Sequence, residues 1–200
     1  MLSGADCLPT ITTERLCLRW LESTDVPALY EIFGDPEVCR YWSRGPLPDL
    51  DAAAVLQKEI AQYFEERSLF QWGVAERSTD RVVGTCTLAA LSVQHRRAEL
   101  GYALARSAWG RGYMAEVLPA LLAFAFDTLD LHRIEADVDP RNERSIGLLE
   151  RLGFMREGYQ RERYQVSGEI QDAALYGLLR PDWASQRGSA ASGHSVEVTT

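Results

Sequence analysis

Trp109-Gly110-Arg111-Gly112-Tyr113 is the stretch of this 200-residue chain whose residue types and spacing best suit a ligand. Two glycines flank Arg111 just before an apolar-rich run that reads as a helix. The first turn of a helix carries unpaired N–H groups and the positive end of its dipole. Glycines let such backbone approach a ligand closely, so the turn suits a phosphate or pyrophosphate. A glycine-bearing loop that merely starts a helix would look the same. Gly110 to Ala115 also fits the G-x-G-x-x-A pattern of dinucleotide-binding folds. That pattern needs its first glycine directly after a strand, normally at the head of parallel βα units. Here Ala105 to Trp109 intervene, and mostly antiparallel strands are predicted upstream, so a nicotinamide oxidoreductase fits poorly.

The remaining candidates are single side chains. Glu99 stands on a predicted strand, where it could accept a proton or be an exposed carboxylate paired with Arg96 or Arg97. Ser145 follows Asn142 by three residues, and both types favour helix starts. His132 sits where a helix hands over to a strand, which suits a structural or helix-end role. No Cys or Ser carries the local signature of a nucleophile paired with His. Cys7, Cys17, Cys39 and Cys86 are scattered, with no CxxC pair and no His at ligand spacing. No metal site is expected, and the cysteines read as buried and reduced.

Several elements must position these groups. Leu16, Leu18 and Trp20 alternate with Cys17 and Arg19, predicting a strand over 14–20. A helix opens at Thr24-Asp25 with Pro27 in its first turn and ends near Gly34. A second runs from about Asp51 to Arg67, with Val55, Leu56, Ile60 and Phe64 on one side. Strands at 70–76 and 81–89 form an antiparallel hairpin, and another covers 98–104. A helix at 112–127 follows, carrying Pro119, which should kink it. Then come a strand at 133–138, a helix at 143–152 ended by Gly153, and strands at 154–163 and 172–179. The order indicates a mixed, mostly antiparallel sheet of an α/β or α+β protein.

Composition bounds the function. The net charge of −8 argues against a nucleic-acid binder and is compatible with a cationic substrate. There is no signal-peptide pattern, and the most apolar stretch, Val117 to Phe126, is too short to span a bilayer. A cytoplasmic protein without membrane contact is expected. Residues 10–183 read as one domain, and the Ala-, Ser-, Gly- and Thr-rich segment 184–200 reads as a flexible tail.

Taken in order, several motifs resemble the GNAT superfamily, within it the ribosomal-protein N-acetyltransferases of RimJ/RimL type. They are Thr13-Glu14-Arg15-Leu16, Glu99-Leu100-Gly101-Tyr102, Trp109 to Glu116, His132 to Ala136, Asn142-Glu143-Arg144-Ser145, Leu152-Gly153-Phe154, Glu157-Gly158 and Asp172. The resemblance implies a seven-stranded sheet with about four helices, in which the strands at 98–104 and 133–138 splay apart. It implies acetyl-CoA as co-substrate, its pantetheine arm beside Ala103, Leu104 and Ala105. The pyrophosphate would lie on Trp109, Gly110, Arg111, Gly112, Tyr113, Met114 and Ala115. Met114 is bulkier than the family's Gly or Ala and could tighten that turn.

The same resemblance makes Glu99 a general base, Ser145 a partner of the departing sulfur, and Asn142 a cofactor contact. An acidic base that the branch can carry after Gly158 falls here on Tyr164, with Glu162 two residues earlier. The acceptor is a primary amine, either a protein N-terminus or a small molecule, in a groove shaped by residues 20–50 around Phe33, Tyr41 and Trp42. Direct attack in a ternary complex is implied. A non-catalytic acyl-CoA-binding module is the rival, and oligomeric state, with a homodimer as one option, is open.

Overall fold

A computed structural model describes residues 2, 5–190 and 197–199 of the chain. The first half runs β1 (Thr10–Thr12), β2 (Leu16–Arg19), α1 (Val26–Phe33), α2 (Pro36–Cys39), α3 (Leu50–Glu65), β3 (Phe70–Glu76), β4 (Val82–Ser92) and β5 (Arg97–Leu104). The second runs α4 (Tyr113–Ala123), β6 (Arg133–Val138), α5 (Glu143–Arg151), β7 (Met155–Val166), β8 (Glu169–Leu179), α6 (Arg180–Ala190) and β9 (Glu197–Thr199). The architecture is the expected α+β mixed sheet, here of nine strands among the described residues, ordered β7-β8-β6-β5-β4-β3-β2-β1-β9. The two strands beyond the expected seven are three-residue pieces, too short to show alternation. The additional helices are α2 and α6. Part of the segment 184–200 lies outside the described residues, namely 191–196 and 200, while α6 and β9 take up much of the remainder.

Every pairing in the sheet is antiparallel except β5 with β6. Side-chain alternation sends even-numbered residues of β5 and β6, such as Leu100, Ile134 and Ala136, under α4 and α5. That core is continuous across β5 and β6, joining Trp72 and Leu88 to Tyr176 and Leu178 beneath Val117, Leu118 and Leu121. On the opposite face, α1, α2 and α3 pack Leu29, Ile32, Cys39 and Ile60 onto Ala75, Val82, Ala103 and Ala105. These helices therefore cover the β2–β5 side of the sheet.

The helix starts follow from local chemistry. Asp49 caps α3 by accepting from Ala52 N–H at 2.8 Å, and Pro27 sits in the first turn of α1. Of the four residues expected on one side of α3, Ile60 and Phe64 are buried, but Val55 is 55% exposed. It stands at the rim of a cavity. The helix expected over 112–127 is α through Ala123 and then a π turn over Phe124–Thr128, with Pro119 inside the α portion. The cysteines are all free thiols, but only Cys39 and Cys86 are buried. Cys7 is exposed, since it precedes the first strand, and Cys17 is half-buried at the margin of the core under α1–α3.

At the base of the β5–β6 pairing, an ion-pair ladder runs Arg97–Glu135–Arg133–Glu157. The Arg133–Glu157 pair passes over β8 at Gly177, where a Cβ would lie 2.6 Å from Glu157 Oε1. A side chain at 177 would have to push this pair aside.

Candidate active site

β5 and β6 pair in parallel over three residues, Arg97 with Arg133, Ala98 with Ile134 and Glu99 with Glu135. Beyond Glu99 the strands diverge, although β5 continues to Leu104 and β6 to Val138. β4 remains paired along the other edge of β5. Ala105 N–H donates to Val83 O at 2.8 Å. Because antiparallel ladders alternate, Ala103 and Ala105 turn their backbone groups to β4, and Tyr102 and Leu104 turn theirs to the gap. Of the three residues expected beside the pantetheine arm, Leu104 alone faces it. Its carbonyl accepts from the Trp109 indole Nε1 at 2.9 Å.

The chain then makes a short 3-10 turn (Arg106–Ala108) and reaches the glycine turn. Gly110 and Gly112 both have φ of +75°, in the left-handed region that glycine occupies most readily. No side chain caps α4, so the amides of Tyr113, Met114 and Ala115 have no side-chain acceptor. The turn is held from behind by Glu116, which accepts from Thr13 Oγ1 (2.6 Å), Arg15 N (2.8 Å) and Arg15 Nε (2.6 Å). Arg15 also donates to Arg111 O at 3.1 Å. Burial works against the Glu116 carboxylate, but the Thr13 and Arg15 bonds outweigh it and hold its pKa below the usual value. Tyr113 points back to Glu76, its hydroxyl 2.6 Å from Oε1. Met114 is buried against Cys86, sulfur to sulfur 3.8 Å, so its bulk enters the core and leaves the turn open. Uncapped amides, left-handed glycines and an open strand edge fit a phosphate-bearing thioester with an extended arm.

The gap opens into a cavity of roughly 660 Å³ on the α1–α3 face. Phe33, Tyr41 and Trp42, the residues expected around an acceptor groove, line it, with Trp42 lying over Gly101. Five carboxylates line it, from Glu59, Glu99, Asp137, Asp139 and Asp172, against one guanidinium, Arg44. Alternation places Glu99, Glu135 and Asp137 on this face. Glu135 is taken up by Arg97 and Arg133. Glu99 makes no hydrogen bond or ion pair among the described residues. Burial first, then the charges of Asp137 and Glu135, push its pKa up.

The sequence over residues 15–155, which builds this open-edged strand, glycine turn and α4 start, matches the acetyltransferase (GNAT) domain family. The chain belongs to the GNAT acetyltransferases. Among its relatives, the N-acetyltransferase p20 of Bacillus licheniformis is 35% identical over 88% of this chain and 99% of its own. The [ribosomal protein uS5]-alanine N-acetyltransferase of Escherichia coli is 27% identical over 88% and 94%. The spermidine N-acetyltransferase of Vibrio cholerae, solved with CoA and spermine, shares the fold with a TM-score of 0.76 at 24% identity, covering 85% of this chain and 98% of that one.

Other expected site residues of this GNAT chain fall as follows. Asn142 caps α5, its Oδ1 accepting from Ser145 N at 3.2 Å, while also lining the cavity. Ser145 Oγ lies 2.7 Å from the Tyr102 hydroxyl. Burial pushes the Tyr102 pKa up to about 12, partly offset by that bond. His132 is exposed, and its backbone ties β6 to the neighbouring loops through Arg96 O and Arg180 N. Glu162 is exposed in a bulge of β7, its amide donating to Asp172. Tyr164 lines the cavity and donates to Asp137 Oδ2 at 3.0 Å. Sequence reasoning missed Asp137 and Tyr102. Tyr102 lay within the Glu99-Leu100-Gly101-Tyr102 motif without a role of its own, whereas Asp137 had no local signal, since an acidic residue two positions after Glu135 reads as ordinary strand alternation. No helix among the described residues is long and apolar enough to cross a membrane.

Proposed function

We propose that this GNAT enzyme transfers the acetyl group of acetyl-CoA to a primary amine by direct attack. The supporting observation is a glycine turn with uncapped amides following β5 and a carboxylate-lined cavity at the β5–β6 gap. The turn from Gly110 to Ala115 would hold the pyrophosphate, and the gap edge at Tyr102 and Leu104 would flank the arm. The carboxylates suit an ammonium acceptor. In balance, an ammonium loses one proton to Glu99, and the freed lone pair forms the C–N bond. The C–S bond breaks, and the thiolate takes a proton. Ser145, bonded to Tyr102 and at the start of α5, would hand that proton to the thiolate. The second amine proton leaves to solvent and Glu99 gives its proton up in turn; the thiolate recovers one of these two, so the net products are amide, free thiol and one proton.

The test is thiol release from acetyl-CoA in the presence of spermidine and of a peptide with an N-terminal alanine. Transfer to either supports the reading, and the preferred one names the acceptor class. Tight acetyl-CoA binding without transfer to any primary amine would favour a binding module.

A further inference from the structure

Asp137 is fixed in an unusual way for a strand carboxylate. Its side chain is only 15% exposed, and both of its partners reach the same oxygen. Tyr164 donates to Oδ2 at 3.0 Å, and Arg163 Nε lies 3.7 Å from Oδ2. Oδ1 accepts no hydrogen bond among the described residues. The residue stands two positions beyond Glu135, the last β6 residue paired to β5, so it borders the gap itself. It lines the same cavity as Glu99 and projects from the same face of the sheet.

We propose that Asp137, with its free Oδ1, is the residue that binds the acceptor's ammonium, beside Glu99, which takes the proton. The inference rests on the acetyltransferase reading and adds a division of labour to it. An ammonium has three N–H donors and must keep a contact after giving one proton away. A single carboxylate that accepts the proton loses its charge and its hold at the moment of attack. A second carboxylate retains both. Glu135 cannot fill this place, because Arg97 and Arg133 occupy it. Asp139 is likewise engaged by Arg141, and Asp172 by Tyr159 and the Glu162 amide. Tyr164, by donating to Oδ2, holds that oxygen and leaves Oδ1 without a partner among the described residues.

The pH behaviour separates this role from a structural one. The charged and titratable groups facing Glu99 are Asp137 and Glu135 on β6, Arg163 on β7 and Arg97 on β5. Those facing Asp137 are Tyr164 and Arg163 on β7 and Glu99 on β5. Glu59 on α3, Cys39 on α2 and Tyr41 line the cavity opposite. The charge of Asp137 raises the Glu99 pKa, so removing that charge lowers it, and the acidic limb of kcat/KM moves to lower pH.

The experiment compares the full chain with Asp137→Asn and Tyr164→Phe, using acetyl-CoA with spermidine and with the alanine peptide. For Asp137→Asn, KM for the better amine should rise about ten-fold or more, as expected for loss of a charged contact. KM for acetyl-CoA should stay unchanged, and the acidic limb should shift downward in pH. Tyr164→Phe should raise the amine KM less and leave acetyl-CoA binding intact. An unchanged amine KM and an unmoved acidic limb in a folded Asp137→Asn chain would overturn the inference while leaving the acetyltransferase reading standing. If Asp137→Asn unfolds, an unchanged amine KM in Tyr164→Phe overturns it. Absence of transfer by the unaltered chain would overturn both.

Discussion

Gly110→Ala isolates what the glycine turn does. At Gly110 the backbone has φ +75°, and a Cβ built there meets nothing within 4 Å. The folding cost of a methyl is therefore conformational alone, about 1–2 kcal/mol for an L-residue in the left-handed region. In a chain of this size that corresponds to a Tm lower by roughly 2–8 °C. Gly168, at the tip of the β7–β8 hairpin, supplies a matched control. Its φ is +84°, and its Cβ position is equally open. Gly168→Ala should lose a similar amount of stability. The two variants should part company in cofactor binding. Gly110 stands three residues ahead of the first α4 amide in the turn assigned to the phosphates, so on the proposed reading the added methyl would crowd a bound pyrophosphate. Titration calorimetry with acetyl-CoA should show affinity weaker by about ten-fold or more for Gly110→Ala, equal to about 1.4 kcal/mol, and unchanged affinity for Gly168→Ala. Equal affinities in the two variants would refute the assignment of this turn to the cofactor's phosphates. A Gly110→Ala chain as stable as the parent would refute the conformational argument.

Three further outcomes are expected. Tyr102→Phe leaves Ser145 Oγ without its 2.7 Å partner, and kcat should fall about ten-fold with acetyl-CoA affinity retained. Combining it with Ser145→Ala should cost little more than the worse single change, and full additivity would show that the two act separately. Glu116 has a depressed pKa in the folded chain, so it stabilises the fold above the unfolded-state value near 4.5, and that share is lost as pH falls below it. Glu116→Gln should lower stability at pH 7 and flatten its decline in acid, read by urea melts at several pH values. Thr85 Oγ1 is buried without a hydrogen-bond partner, so Thr85→Val should match or exceed the parent Tm. A fall of several degrees would show that the hydroxyl is bonded after all.

The glycine turn was legible because glycine is the residue most at ease in the left-handed backbone it adopts, and that preference is written in residue type. Strand positions were legible by alternation, and the β5–β6 divergence by the resemblance of motifs along the chain. Three other features depended on tertiary context. Met114 could not be assigned from its bulk, since its direction depends on whether helix phase turns it to the core. Val55 matches the apolar period of α3 but stands at a cavity rim where the helix overhangs the gap. Asp137 looks identical to Glu135 in sequence, and only the arginines on either side of Glu135 distinguish a neutralised carboxylate from an available one. β1 and β9 span three residues each, shorter than any period can reveal.

The three-residue contact between β5 and β6 has a mechanical consequence. Strands β9 to β5 form one panel and β6, β8 and β7 another, with three backbone pairs as the seam. Hydrogen bonds resist shear along a seam, yet so short a run gives little resistance to bending across it. Stiffness must come from elsewhere: from the apolar layer under α4 and α5, which bridges both panels, and from the charged clasp of Arg97, Glu135, Arg133 and Glu157 on the opposite face. One side of the joint is thus glued by contacts that water strengthens, and the other by contacts that salt weakens. The opening angle between the panels, and with it the width offered to an acceptor, is balanced between the two.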